Sequence, residues 1–178
     1  MAIFCESKNL YLREIELKDS TLISIWKKDM LIRKMSVGLN TKVTQQNQES
    51  DIQRSLETNQ PYYIIALKND DRSIGYIRIN WMDDTNRFAW LRFGLGEERG
   101  KGYSKEALIC LLMKLFASGT SRIDAEVFEF NDVSYFLLQS LGFIHEGTRR
   151  MAYYSDGNVY DIYTLGLLKS DFDNKLIK

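Results

Sequence analysis

The stretch that most limits what this chain can become is Gly94-Leu95-Gly96-Glu97-Glu98-Arg99-Gly100-Lys101-Gly102-Tyr103-Ser104-Lys105-Glu106. Residues 88–93 upstream suit a strand and the apolar run 107–117 downstream suits a buried helix, so the glycines fall where strand becomes helix. The first turn of a helix leaves backbone N–H groups without internal partners and puts the positive end of the macrodipole beside them. Gly100 and Gly102 carry no side chain to block an anion there, and Arg99 and Lys101 add positive charge. A phosphorylated cofactor is the expected tenant.

Spacing excludes two familiar phosphate loops. Read back from Gly100-Lys101, the nucleotide loop G-x-x-x-x-G-K-[ST] would need glycine at Leu95 and a hydroxyl at Gly102. A dinucleotide fingerprint G-x-G-x-x-G begun at Gly94 meets Arg99 at its last position, and begun at Gly100 it meets Lys105. The segment Glu97-Glu98-Arg99-Gly100-Lys101-Gly102 instead resembles the pyrophosphate loop of the GNAT acetyltransferase superfamily, [QR]-x-x-G-x-[GA], which lies between a strand and a helix and binds coenzyme A. Its first position departs by being acidic, as in the branch resembling ribosomal-protein-alanine and spermidine acetyltransferases.

Length and charge set bounds around that resemblance. At 178 residues the chain is the size of one domain, and 24 basic against 24 acidic residues give no broad positive field for nucleic acid. Residues 1–6 lack the basic start and apolar core of a signal peptide, and no apolar run reaches the roughly 18 residues that span a bilayer, so a cytoplasmic protein is expected. Cys5 and Cys110 fit neither a metal cluster nor a disulfide framework and read as two small hydrophobes.

In chain order, residues 9–15 read as a strand, Asp19 as the cap of a helix built on Leu22, Ile25, Trp26 and Met30, and residues 30–40 as a loop or broken helix. Residues 44–58 suit a thin amphipathic helix that could act as a lid, and residues 62–67, 73–81 and 88–95 a three-strand meander. A helix over 104–118, a strand over 122–130, a short helix from Asn131-Asp132 to Leu141, and a hairpin about Ser155-Asp156-Gly157-Asn158 complete the order. The chain from Lys169 reads as a loose tail. Residues 1–170 are expected to be a single domain and 171–178 a C-terminal tail.

That order matches the GNAT fold, which implies an α/β (α+β) architecture: a mostly antiparallel mixed sheet of about seven strands, splayed in the middle, with about four flanking helices. A second signature supports it. Asn131-x-x-Ser134-x-x-Leu137-Leu138-x-x-Leu141-Gly142-Phe143-x-x-Glu146-Gly147 resembles the family's N-x-x-[AS]-x-x-x-[YL]-x-x-x-G-F-x-x-E-G. Read from the residues alone, Asn131 is a helix N-cap and Gly142-Phe143 a helix stop with a core aromatic.

The resemblance implies an acetyl-CoA-dependent N-acetyltransferase in which a primary amine attacks the thioester directly. It assigns the pyrophosphate to Arg99, Gly100, Lys101, Gly102, Tyr103 and Ser104, the pantetheine arm to Phe93, Gly94 and Leu95, and places Asn131 beside the thioester. A backbone N–H of the 93–95 strand would hold the carbonyl oxygen, with Gly94 helping that strand bulge. Many members place a tyrosine seven residues after the asparagine to protonate the leaving thiolate; Leu138 stands there in this chain. Ser134 matches the serine proposed for that job in the ribosomal-protein branch, its rival role being a small residue where a helix touches the cofactor. Tyr135 is a weaker candidate.

The family's usual base, a glutamate on the central strand, has no counterpart at Ala89-Trp90, and Glu126 and Glu129 read as surface acids with a remote chance of acting through water. His145 reads as an ordinary strand residue. Trp26, Met35, Trp90, Tyr153 and Tyr154 could line an acceptor pocket or simply pack. The acceptor is a protein N-terminus, amino acid, polyamine or other small amine; a homodimer is left open, and no metal is expected. The alternative is a non-catalytic sensor of acyl-CoA.

Overall fold

The computed structural model describes residues 2–37 and 42–176. Its elements follow as β1 (Ile3–Glu6), β2 (Leu10–Glu14), α1 (Asp19–Lys28), α2 (Met30–Ile32) with a π-helical turn at Arg33–Val37, α3 (Gln45–Glu57), β3 (Tyr62–Leu67), β4 (Ser73–Trp81), β5 (Phe88–Leu95), α4 (Tyr103–Ala117), β6 (Arg122–Phe128), α5 (Asp132–Ser140), β7 (Ile144–Ser155), β8 (Asn158–Leu168) and α6 (Lys169–Leu176). Residues 38–41, the first three of which belong to the stretch read as a loop or broken helix, lie outside the described residues.

The strands form one eight-stranded sheet in the order β1-β2-β3-β4-β5-β6-β8-β7. Pairing is antiparallel for β1 with β2, β2 with β3, β3 with β4, β6 with β8 and β7 with β8, and parallel for β5 with β6. The expected mixed, mostly antiparallel sheet is therefore present, with eight strands rather than about seven. The extra strand is β1, four residues on the sheet edge, too short to carry a periodic signal.

Backbone contacts group the chain into two units, Met1–Asn80 with Arg92–Lys114, and Trp81–Leu91 with Leu115–Lys178. In the first, one sheet face carries Tyr62, Ile64 and Tyr76, which join Ile15, Ile23, Trp26, Ile32 and Ile52 in a buried apolar cluster under α1 and α3. Two expectations change here. Asp19 does not cap α1 with its side chain; it lies buried in the first turn, where both carboxylate oxygens accept from Arg13 (2.8 and 2.7 Å) and one also accepts the Glu16 N–H. An unpaired arginine at that depth would be costly, so the carboxylate is held by the pair rather than by the helix end.

Helix α3 is the expected amphipathic helix: Thr44 caps it by accepting the Asn47 N–H at 3.1 Å, Ile52 is buried, and Gln48 and Asp51 are bonded to Lys27 and Arg78. Cys5 and Cys110 are not independent thiols. They are bonded to each other with a Cα–Cα distance of 6.3 Å, tying β1 to α4 across 105 residues. Nothing in their spacing could announce this, because the pairing depends on the edge strand.

In the second unit, β7 and β8 turn through Asp156 (φ 50°) and Gly157 (φ 78°), both left-handed, as a two-residue hairpin requires. The expected loose tail is instead α6, whose Phe172 is only 2 % exposed and meets Phe116 with ring centroids 5.5 Å apart. The lone phenylalanine in a polar segment carried too little periodicity to be seen.

Candidate functional site

Gly94 lies at the end of β5 and Gly96 just past it, and neither has room for a side chain. A Cβ at Gly94 would come within 2.8 Å of the Tyr76 ring, and one at Gly96 within 2.3 Å of the Trp26 indole, so both positions are backed by an aromatic side chain. The Gly96 and Glu97 N–H groups both donate to the Ile74 carbonyl (2.8 and 3.0 Å), which bends the chain off the strand.

Beyond this point the backbone alternates in hand. Glu98, Gly100 and Gly102 have φ of 56°, 77° and 83°, while Arg99 and Lys101 between them stay negative. Alternation of this kind turns successive N–H groups into one concavity, an anion-binding nest, and it runs directly into the first turn of α4. Cβ atoms built on Gly100 and Gly102 meet nothing within 4 Å, so the space that side chains would take is open. Glu98 holds a left-handed φ without being glycine, a conformation that costs on the order of 1 kcal/mol and is supported by its pairs to Arg72 (2.7 Å) and Lys101. A concavity of backbone N–H groups of this kind suits an anion.

The loop's charged side chains are already engaged. Lys101 pairs with Glu98, and Arg72 pairs with Glu97 (2.8 Å) and Glu98. Those hydrogen bonds from Lys101 and Arg72 hold the Glu98 carboxyl below its usual range. Arg99 folds back, donating to the Leu95 carbonyl (3.1 Å) and Gly96 carbonyl (3.3 Å) and pairing with Asp29 at 3.4 Å. The positive side chains expected to reach for phosphate thus brace the loop, and the donors left for an anion are backbone ones. Tyr103 and Ser104, half-buried, open α4.

The expected residues of the other signature gather in the second unit. Asn131 is buried and is the N-cap of α5, its side chain accepting the Ser134 N–H at 3.1 Å. The Ser134 hydroxyl is half-exposed and makes no hydrogen bond among the described residues. Tyr135 turns away to His145: its hydroxyl lies 3.1 Å from Nδ1, receives Gln139 Nε2 at 3.1 Å, and the other ring nitrogen of His145 lies 3.0 Å from Thr148 Oγ1. With both nitrogens occupied, His145 is the structural residue expected. Glu126 pairs with Arg149 at 2.8 Å. Of the acceptor-pocket candidates, Trp26 is 4 % exposed and belongs to the core, and Tyr153 packs on Phe128 at 4.4 Å.

One group of residues escaped the sequence reading altogether. On the first unit's α1-covered sheet face, the Lys27 ammonium is buried, donates to Gln48 Oε1 at 2.8 Å and lies 5.0 Å from the centre of the Tyr76 ring. Beside it, Arg78 donates to Asp51 at 2.6 Å and lies over Tyr62 at 5.5 Å. Burial, with the like charges of Arg78 and Arg92, lowers the Lys27 pKa to about 8 despite Asp51. These residues lie on five elements, α1, α3, β3, β4 and β5, so no local pattern joins them.

The pattern of an acetyltransferase (GNAT) domain matches residues 9–144. An uncharacterized N-acetyltransferase, p20, from Bacillus licheniformis is 32 % identical over 171 residues, covering 93 % of this chain and 96 % of the relative. Among solved structures, the fold is shared with RimL, ribosomal L7/L12 alpha-N-protein acetyltransferase in complex with coenzyme A (TM-score 0.81, 20 % identity, 94 % of this chain and 98 % of that one). It is shared equally with spermidine N-acetyltransferase from Vibrio cholerae in complex with CoA and spermine (TM-score 0.82, 19 % identity, 93 % and 98 %). The chain belongs to the GNAT acetyltransferase family and is an N-acetyltransferase that draws its acetyl group from acetyl-CoA.

Proposed function

We propose that the chain through α6 works as one cytoplasmic acetyltransferase domain in which the nest at Glu98–Gly102 and the start of α4 hold the diphosphate of coenzyme A. The observation that carries this is the alternation of left-handed φ at Glu98, Gly100 and Gly102 with open space over both glycines. Among the described residues no helix is long and apolar enough to cross a membrane. The parallel ladder of β5 with β6 covers Phe88–Trp90 against Arg122–Asp124, whereas β5 runs on to Leu95. We assign the backbone of Phe93, Gly94 and Leu95 to the pantetheine arm and a strand N–H there to the thioester carbonyl, where negative charge develops.

When bound, acetyl-CoA supplies an activated acetyl group. The acceptor's neutral amine gives its lone pair to the new N–C bond as the C–S bond breaks with its electrons on sulfur, and the amine's surplus proton passes to solvent. Ser134, its hydroxyl free, is the proposed proton donor to the departing thiolate, with Asn131 fixing the first turn that carries it. Family membership supports turnover over the acyl-CoA sensor. Calorimetry with coenzyme A, followed by thiol release from acetyl-CoA over a panel of amines, tests the reading: saturable binding and turnover are expected, and no binding of either ester or thiol would end it.

A further inference from the structure

We infer that the acceptor carries an anionic group of its own beside its amine, and that Arg92 reads this group with Lys27 and Arg78 behind it. This deepens the acetyltransferase reading above and rests on it.

The register places the residues. Tyr62 is paired with Arg78 and Ile64 with Tyr76 between β3 and β4. A Cβ on Gly94 would strike the Tyr76 ring, so Gly94 of β5 shares that sheet face, and Arg92, two residues earlier on the same strand, shares it too. Onto this face α1 brings Lys27 and α3 brings Gln48 and Asp51. A set of cations therefore stands on the face that carries Gly94, the centre of the strand segment assigned to the thioester.

Their charge is not balanced. Among the described residues Asp51 acts on Lys27 against Arg78 and Arg92, and Arg78 already holds that carboxylate at 2.6 Å. Lys27 is 8 % exposed, yet among the described residues no carboxylate comes within ion-pair distance of it. The Arg78 Nε is buried without an acceptor, and Arg92, exposed, makes no ion pair or hydrogen bond among the described residues. Elsewhere in the same unit a buried cation is fully matched, as Arg13 is by Asp19. Burying an ammonium with an amide and an aromatic face but no anion for partners is unfavourable, so an excess of positive charge beside the proposed reaction centre points to a ligand that compensates it.

Two consequences follow for the acceptor. A polyamine presents only positive charge and is repelled, whereas an amine next to a carboxylate is attracted. The same field also lowers the pKa of the acceptor's ammonium, raising the neutral fraction that attacks, which answers the lack of a carboxylate base at Ala89-Trp90. The shared chemistry is an amine near a carboxylate, found in a free acidic amino acid or in a peptide N-terminus followed by acidic residues.

The test is steady-state thiol release from acetyl-CoA with glutamate, a Ser-Glu-Glu peptide, the matched Ser-Lys-Lys peptide and spermidine. Wild type should prefer an acidic acceptor by about tenfold or more in kcat/KM over the lysine peptide and spermidine, and the ratio between glutamate and the Ser-Glu-Glu peptide tells a free amino acid from a chain terminus. Arg92→Glu should cut the acidic acceptor by about tenfold and raise the lysine peptide, with KM for acetyl-CoA and the unfolding midpoint unchanged; Arg92→Lys should restore the preference in part. Equal or better use of spermidine or the lysine peptide by wild type, or an Arg92→Glu variant with an unaltered ratio, overturns the proposal. So does a panel with no turnover, and coenzyme A calorimetry then separates the losses: heat of binding leaves the acetyl-CoA site standing, and its absence removes both.

Discussion

The loop after β5 and the cationic cluster beneath α1 and α3 treat charge in opposite ways. In the loop, Lys101, Arg99 and Arg72 each have a carboxylate partner, and what remains for a ligand is a row of backbone N–H groups set by alternating φ. In the cluster, Asp51 is paired with Arg78, and among the described residues Lys27 and Arg92 have no carboxylate partner. A diphosphate is the same in every turnover, and backbone dipoles fixed by glycine meet it without ordering long side chains. An acceptor must be told from its competitors, and discrimination between charges needs charged side chains whose balance is left open.

If the contrast is right, the two regions fail differently. Gly102→Val places a branched side chain at φ 83° and fills the cradle. It should weaken coenzyme A by about 100-fold, close to 3 kcal/mol, and abolish the rise in melting temperature that the ligand gives wild type by mass action. Denaturant unfolding of the free variant should show a smaller loss, roughly 1–3 kcal/mol of backbone strain. A variant that binds normally would show that the grip lies elsewhere.

Lys27→Met should do the reverse, giving up acceptor use while gaining stability. The folded-state pKa of Lys27, about 8, lies below the ordinary 10.5, so the unfolded chain binds more protons between those values. The penalty for burying the ammonium is therefore fully present below pH 8 and disappears as the pH rises towards 10.5. At about 1.4 kcal/mol per pH unit the penalty is about 3.5 kcal/mol, less about 1.5 kcal/mol for the hydrogen bond to Gln48, so a gain of about 2 kcal/mol is expected at pH 7. Urea midpoints of wild type and variant should converge from pH 8 upward. A variant less stable than wild type at pH 7 would mean the lysine holds the fold together, and the contrast would lose its second half.

The same contrast explains what the chain's residues disclosed in advance. The nest is contiguous, and glycine spacing between a strand and an apolar helix is a local pattern that one stretch of sequence displays in full. Asn131 as a cap and the Asp156-Gly157 hairpin were readable for the same reason. Lys27, Gln48, Asp51, Arg78 and Arg92 come from α1, α3, β4 and β5, and only the strand register brings them to one face. The Cys5–Cys110 bond and the Phe172 contact with Phe116 were hidden in the same way. Asp19 shows a third case: a residue type fit for a cap was claimed by a stronger partner, a buried arginine.

Ser134 stands between the two kinds. Its backbone is fixed by the Asn131 cap, a local motif, while the work of its hydroxyl depends on what is brought to it. A thiol of pKa about 8.5 needs little help in leaving, so Ser134→Ala should lower kcat by about tenfold, below the usual 10²–10⁴ for a positioned acid. The loss should appear at saturating acetyl-CoA with KM for the cofactor unchanged. An unchanged kcat reduces the serine to a small side chain that lets the helix approach.

The smallest effect separates backbone from side chain most directly. Lys101 looks from the sequence like a phosphate ligand, yet it is spent on Glu98, and the exposed pair is screened by water and salt. Lys101→Ala should weaken coenzyme A by no more than about threefold, under 1 kcal/mol, because the N–H groups of the nest keep their places while Arg72 still holds Glu98. Raising the salt concentration should move wild type and variant in parallel, since the charge removed was already neutralised. If Lys101→Ala instead costs as much as Gly102→Val, the ammonium must leave Glu98 and swing onto the diphosphate. Loop and cluster would then use charge in the same way, with carboxylates as temporary partners in both, and Glu98 would become the residue that sets how readily the cofactor is released.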